Sequence, residues 1–111
     1  MPSAVITVEF AELSREKKAQ FLCRLGTRLT VVARQLCTEQ ELTVDAVQRA
    51  GCLNEMCHKL FGQLGHLIAD GQGYPDDVFI ASLRSLAAEN RLAREFSDAW
   101  DWTAASLTAT R

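Results

Sequence analysis

The chain has 111 residues, 48% of them apolar and 23% charged, the make-up of one ordinary globular domain able to bury a core without disulfides or a structural metal. Its 12 Lys and Arg against 14 Asp and Glu leave a formal charge of −2, too weak a field to attract nucleic acid or an anionic membrane. No run reaches the ~18 uncharged apolar residues of a membrane span, and Met1-Pro2-Ser3 opens no basic region followed by an apolar stretch, so a soluble cytoplasmic protein is expected.

Ser3 to Phe10 is rich in β-branched residues and reads as extended. A lone strand is not stable by itself. Residues 1–12 are therefore expected to form an extended arm over the helices, with pairing across a symmetric dimer as the alternative. Ser14 is placed to cap a first helix over about 15–38, with Glu16 in its first turn. Leu22, Leu25, Leu29, Val32 and Leu36 follow alternating gaps of three and four, the seam of a helix that packs along its length. Phe21 and Val31 widen that seam into a face.

Thr43 caps a second helix, with Asp45 early in it. The same spacing runs through Ala46, Ala50, Leu53, Cys57, Leu60, Leu64 and Leu67. Unbroken to Asp70, this helix has about 28 residues and a length of roughly 42 Å, whereas a compact globule of this size is only about 34 Å across. The overhanging seam predicts a second subunit. Gly62 and Gly65 lie on one face of the helix and favour close helix approach; a break at Gly51 into two shorter helices is the alternative, because an interior glycine costs about 1 kcal/mol.

Gly71-Gln72-Gly73 ends the second helix, and Pro75 followed by Asp76 and Asp77 starts a third. Val78, Phe79, Leu83, Leu86 and Ala87 are expected to point inward, and Asn90 to interrupt. A fourth helix over about 91–105 shows Leu92, Phe96, Ala99 and Trp100, with Trp102 out of phase, and Thr103 onward is expected to fray, leaving 106–111 as a tail. Cys23, Cys37, Cys52 and Cys57 form no Cys-x-x-Cys pair and fall on the apolar stripes. They are expected to be buried, reduced thiols, with a redox switch or a disulfide as the alternative.

Residues that could carry catalysis are few. Glu55 and His58 have the Glu-x-x-His spacing of half a di-iron site, but no second pair exists, and His66 with Asp70 lies two or more turns further on. No phosphate-cradling glycine loop occurs, since Gly71-x-Gly73 leads into acidic residues. Neither an enzyme nor a cofactor or metal is expected. The basic stripe Lys17, Arg24, Arg28 reads as a solvated face.

Residues 43–61, with Thr43, Val47, Ala50, Gly51 and Phe61 in matching places, resemble the helix-turn-helix of TetR-type repressors, with Gly51 in the turn and Asn54 onward facing the major groove. That DNA-binding alternative is disfavoured by charge: residues 41–70 carry two basic against four acidic side chains, and phosphate contacts supply much of such affinity.

The runs Leu53 to Gly62 and Gly73 to Phe79 are similar to small helical proteins of proteobacteria. In length and helical layout the whole chain resembles the QslA-like quorum-sensing antiactivators of pseudomonads. The resemblance implies a homodimer that sequesters a LuxR-type, LasR-like transcriptional activator and blocks its dimerisation and DNA binding. The expected fold is all-α: one domain over 1–111, four helices with a long central one, an extended N-terminal arm, and a two-fold homodimer. Leu53, Cys57, Leu60, Gly62, Leu64, Gly65 and Leu67 are the candidate dimer residues. Phe96, Trp100 and Trp102 are the candidate partner-binding residues, because aromatics are favoured anchors at interfaces.

Overall fold

A computed structural model describes residues 9–38, 42–69 and 73–109, apart from the side chains of residues 108 and 109. A single 3-10 turn, Phe10–Glu12, precedes four helices: α1 Arg15–Thr38, α2 Val44–Ile68, α3 Asp76–Glu89 and α4 Ala93–Ala109. Among the described residues there is no strand. The expected extended arm, residues 1–12, falls outside them as far as residue 8, and its last three residues, Phe10–Glu12, form the 3-10 turn instead.

The starts of the helices follow local chemistry. Ser14 Oγ accepts the Lys17 N–H at 3.2 Å, and Thr43 Oγ1 accepts that of Ala46 at 3.0 Å, each satisfying a donor that has no partner inside its helix. Pro75 sits immediately before α3, and Asp76 and Asp77 fill its first turn, where negative charge meets the positive end of the helix dipole. α3 ends as a Schellman motif: Arg91 N–H donates to the Ala88 carbonyl at 3.3 Å and Leu92 N–H to that of Ala87 at 2.7 Å. Arg91, not a glycine, holds the left-handed position at φ 58°. Leu92 and Ala87, both fully buried, make the apolar contact that accompanies the motif.

α1 and α2 run antiparallel along their whole length and form the most extensive packing in the chain. Leu22, Leu25 and Leu29 of α1 are buried with Leu53, Met56 and Leu60 of α2. Cys57 Sγ donates to the Gly26 carbonyl at 3.4 Å, and a Cβ on Gly26 would stand 3.4 Å from the Phe61 ring. α3 rests on α2, and α4 on α1. Phe10, Phe21, Phe96 and Trp100 interlock where these layers meet, with Phe21 edge-on to Trp100 at 4.6 Å between centroids.

Two expectations and one alternative are corrected by this arrangement. The long helix does not overhang: α2, with 25 residues, is roughly 37 Å long, but the molecule is a slab of 41 × 41 × 21 Å in which α1, one residue shorter, lies beside it. α2 also runs unbroken through Gly51, so residues 43–61 are not two helices joined by a turn and do not form a helix-turn-helix. Finally, α4 continues to Ala109, beyond the expected fraying point. Thr103, Ala104 and Leu107 are buried, and Ser106 accepts hydrogen bonds from Arg24 Nη1 at its Oγ (2.7 Å) and its carbonyl (3.1 Å). Packing on α1 supplies the stability that these small residues lack locally.

Polar bonds fix the ends of the slab. Arg15 donates through Nε to the Leu67 carbonyl at 2.6 Å and through Nη2 to that of Ile68 at 3.0 Å, a cation on the carbonyl end of α2. Buried Gln63 clasps the backbone of Tyr74: its Nε2 donates to the Tyr74 carbonyl at 2.7 Å, and its Oε1 accepts the Tyr74 N–H at 3.2 Å. A Cβ at Gly73 would lie 2.6 Å from that same Oε1, so the clasp requires glycine there. Gln63→Ala is expected to lower the unfolding free energy by about 1–2 kcal/mol. Gly73→Ala should cost a similar amount by evicting the amide, and little further when placed on Gln63→Ala. Urea titration of the two single variants and the double variant checks this non-additivity.

Candidate functional site

Beyond their joint at Asn90–Leu92, α3 and α4 leave a groove of about 790 Å³ between them. α3 lines it with Asp77, Ile80, Ala81, Arg84 and Ala87, one stripe at helical spacing, and α4 with Ala93, Phe96, Ser97, Trp100 and Asp101. Phe10 from the 3-10 turn also lines it, held by Lys18, whose ammonium lies 5.8 Å from the ring centroid and pairs with Asp76 at 2.7 Å. The Arg84 guanidinium stacks over Trp100, 5.1 Å from its centroid.

The apolar part of the groove is built from small and aromatic side chains. Phe10, Phe96 and Ala87 are buried, Ile80 and Trp100 are half-buried, and Ala81 and Ala93 are exposed. The rim is acidic, with Glu9, Asp76, Asp77 and Asp101. Lys18 answers Asp76; among the described residues Glu9, Asp77 and Asp101 have no ion-pair partner. Gln63 and Thr103, the buried polar side chains among the described residues, do not line the groove, whose polar groups are Arg84, Ser97 and the carboxylates of the rim.

Comparison with protein-family models, with curated proteins and with solved structures returned no match. The site therefore rests on its own chemistry.

The structure brings together two of the three candidate partner-binding residues, Phe96 and Trp100, in this groove. Trp102 lies elsewhere on α4, 45% exposed, with the Arg28 guanidinium 5.2 Å from its ring centroid. The out-of-phase spacing of Trp102 carried that exposure. Ile80, Ala81 and Arg84 were missed as groove residues; their i, i+1, i+4 spacing marks one face of α3, but nothing local says that α4 leaves that face uncovered.

The candidate dimer residues divide. Leu53, Cys57 and Leu60 are buried against α1, out of reach of a second chain, because α1 supplies the apolar partner expected from another copy. Leu64 and Leu67 are half-buried. Gly62 and Gly65 are exposed, with nothing within 4 Å of an added Cβ, so they permit no close helix approach inside the chain. Beside them on α2 stand Phe61 and Ile68, 50% and 70% exposed. A second, smaller groove of about 340 Å³ lies between α2 and α3, with Gly62, Tyr74 and Val78 in its lining. Val78, expected to point inward, is 51% exposed.

Glu55, His58 and His66 are all exposed, and Asp70 lies outside the described residues. Among the described residues no group of three or more His, Cys, Asp and Glu side chains is arranged to hold a metal ion. No helix of the described residues is long and apolar enough to cross a membrane.

The cysteines also divide. Cys52 and Cys57 are buried, but Cys23 and Cys37, expected to be buried too, are exposed on the solvent side of α1. Those two are fourteen positions apart on one helix, roughly 21 Å along its axis, too far for a disulfide within the chain. Burial raises the Cys52 thiol above its ordinary pKa, with Glu55 and Glu89 adding to the effect. Burial raises Cys57 likewise, partly offset by its hydrogen bond with Thr30. Because the folded state resists the thiolate, the stability these two thiols contribute is present below the pKa of a free thiol and is lost as pH rises past it. A thiol-reagent titration of the native protein near neutral pH should show two fast cysteines, and four after denaturation. Four fast thiols in the native state would contradict the placement of Cys52 and Cys57.

Proposed function

We propose that this chain is a regulatory protein-binding protein whose α3–α4 groove holds a segment of a partner. The observation that carries the reading is the groove itself: half-buried Ile80 and Trp100 beside exposed Ala81 and Ala93, with no buried polar group lining it. Exposed apolar surface of this kind, rimmed by charge, is typical of protein interaction sites, with aromatics as anchors. The narrower proposal comes from the resemblance of the whole chain, in length and helical layout, to the QslA-like antiactivators. In it, the partner is a LuxR-type quorum-sensing activator, LasR-like, and binding blocks the activator's own dimerisation and hence its DNA binding. No observation favours the helix-turn-helix alternative, since α2 has no turn at Gly51.

A two-fold homodimer belongs to the same proposal. Its supporting surface is the outer edge of α2, where Phe61 and Ile68 are exposed beside Gly62 and Gly65. Leu53, Cys57 and Leu60 have no part in it. Each exposed glycine costs the helix about 1 kcal/mol relative to alanine and has no neighbour among the described residues within 4 Å of an added Cβ; contact with a flat face of a second copy supplies a reason.

Two experiments test these readings. The purified chain, mixed with the ligand-binding domain of a LuxR-type activator, is expected to co-elute with it at moderate salt. Ala81→Arg, at an exposed groove position, should remove co-elution while leaving the helical circular dichroism spectrum intact. For the dimer, sedimentation velocity at micromolar concentration is expected to give twice the chain mass, and Phe61→Glu or Ile68→Lys half of that. A monomeric parent chain would refute the dimer without touching the groove.

A further inference from the structure

The groove also carries information about the chemistry of its occupant, a question that rests on the protein-binding reading above. Both walls are α-helices, whose backbone N–H and C=O groups are already bonded along their own axes. An extended peptide laid between them would find no ladder of backbone partners. A helix brings its own bonds and needs only side-chain contact. The α3 stripe from Asp77 to Ala87 spans ten positions, roughly 15 Å, or about three turns of a docked helix.

Along this length exposed Ala81 and Ala93 stand in one lining with half-buried Ile80 and Trp100, while Ala87 and Phe96 are buried. Small residues beside large ones make holes, and holes take bulky aliphatic knobs from a partner. The rim supplies the second constraint. Glu9, Asp77 and Asp101 stand beside the cleft without ion-pair partners among the described residues, whereas the one cation lining it, Arg84, is stacked on Trp100. In a chain of net charge only −2, three unanswered carboxylates around one apolar cleft form a local field that favours cationic flanks and rejects acidic ones. The same field repels phosphates, which sets nucleic acid aside as the occupant.

We propose that the α3–α4 groove receives a short amphipathic helix of another protein, its aliphatic stripe seated among the alanines and its flanks carrying Lys or Arg toward Glu9, Asp77 and Asp101. Recognition is then a helix-in-groove contact with electrostatic selection at the edges. The apolar stripe gives affinity, and the rim sets which helices are accepted.

The test uses the full chain carrying Trp102→Phe, which leaves Trp100 as the reporter, and three synthetic peptides of about four helical turns. One has a Leu stripe at helical spacing with Lys flanks, one the same stripe with Glu flanks, and one the Lys composition with the stripe scrambled. Titration at low ionic strength, followed by Trp100 fluorescence, is expected to show the Lys-flanked helix binding about tenfold or more tighter than the Glu-flanked one, and the scrambled peptide not binding. The double variant Asp77→Lys, Asp101→Lys should reverse the preference between the two striped peptides. Ala81→Arg should weaken both.

Equal binding of the Lys and Glu helices overturns the charge selection but leaves the groove as a protein-binding site. Equal binding of the scrambled peptide overturns the helix-in-groove contact in favour of plain charge attraction. If neither striped helix binds while the LuxR-type activator still co-elutes, the inference fails and the wider reading stands on another surface. If the Lys-flanked helix binds and the activator does not co-elute, the inference stands and the antiactivator reading fails.

Discussion

Everything in this molecule is arranged around the contact between α1 and α2. Two helices of 24 and 25 residues lie antiparallel, and the leucine rows of both, Leu22, Leu25 and Leu29 against Leu53 and Leu60, are fully buried in it. Apolar area removed from water stabilises at roughly 25 cal/mol per Å², and this seam is continuous with the aromatic cluster of Phe10, Phe21, Phe96 and Trp100 in one core. It also sets the shape. A pair of helices nearly as long as the molecule is wide forces a slab about two helices thick, 21 Å, with only the short α3 and α4 left to cover what remains of the apolar face.

That shortage of cover accounts for both exposed features. α3 has 14 residues and α4 has 17, each shorter than the helix it lies on, and they meet at the Schellman corner before the groove begins. The corner is held from α2: Arg49 donates to the Arg91 carbonyl at 3.1 Å and pairs with Glu95, while the more exposed Arg91 pairs with Asp45. At the opposite end of α3, Lys18 holds Asp76. Such partly exposed pairs are each worth roughly 1 kcal/mol or less. Their effect is geometric: they fix where α3 starts and ends over the α1–α2 pair, and so how wide the groove stands.

The outer edge of α2 is left bare for the complementary reason. With α1 on one side and α3 on another, Gly62 and Gly65 face solvent, and Phe61, which covers Gly26, stays half exposed. A groove on one surface and a flat glycine edge on another allow a single chain to meet a foreign helix and a second copy of itself at separate places. The regulatory proposal needs that separation, because an antiactivator that is also a dimer cannot use one surface for both contacts.

Local sequence was sufficient for the helices themselves. Ser14 and Thr43 announced two starts, Pro75 with Asp76 and Asp77 a third, and Asn90 the interruption before α4, because caps and proline act through bonds and sterics within one turn. The three-and-four spacing of the leucines likewise identified both faces of the long seam. Which surface would cover that seam was not local information. Spacing says only that an apolar partner is needed, and α1 of the same chain satisfies Leu53, Cys57 and Leu60 as well as a second copy would. Tertiary packing also decided that α2 continues through Gly51, that α4 reaches Ala109 on the support of α1, and that Cys23 and Cys37 face water while Cys52 and Cys57 do not. The groove belongs wholly to that second kind of knowledge: it exists because two short helices diverge from a corner, and the angle between them is set by contacts with α1 and α2 far away in sequence.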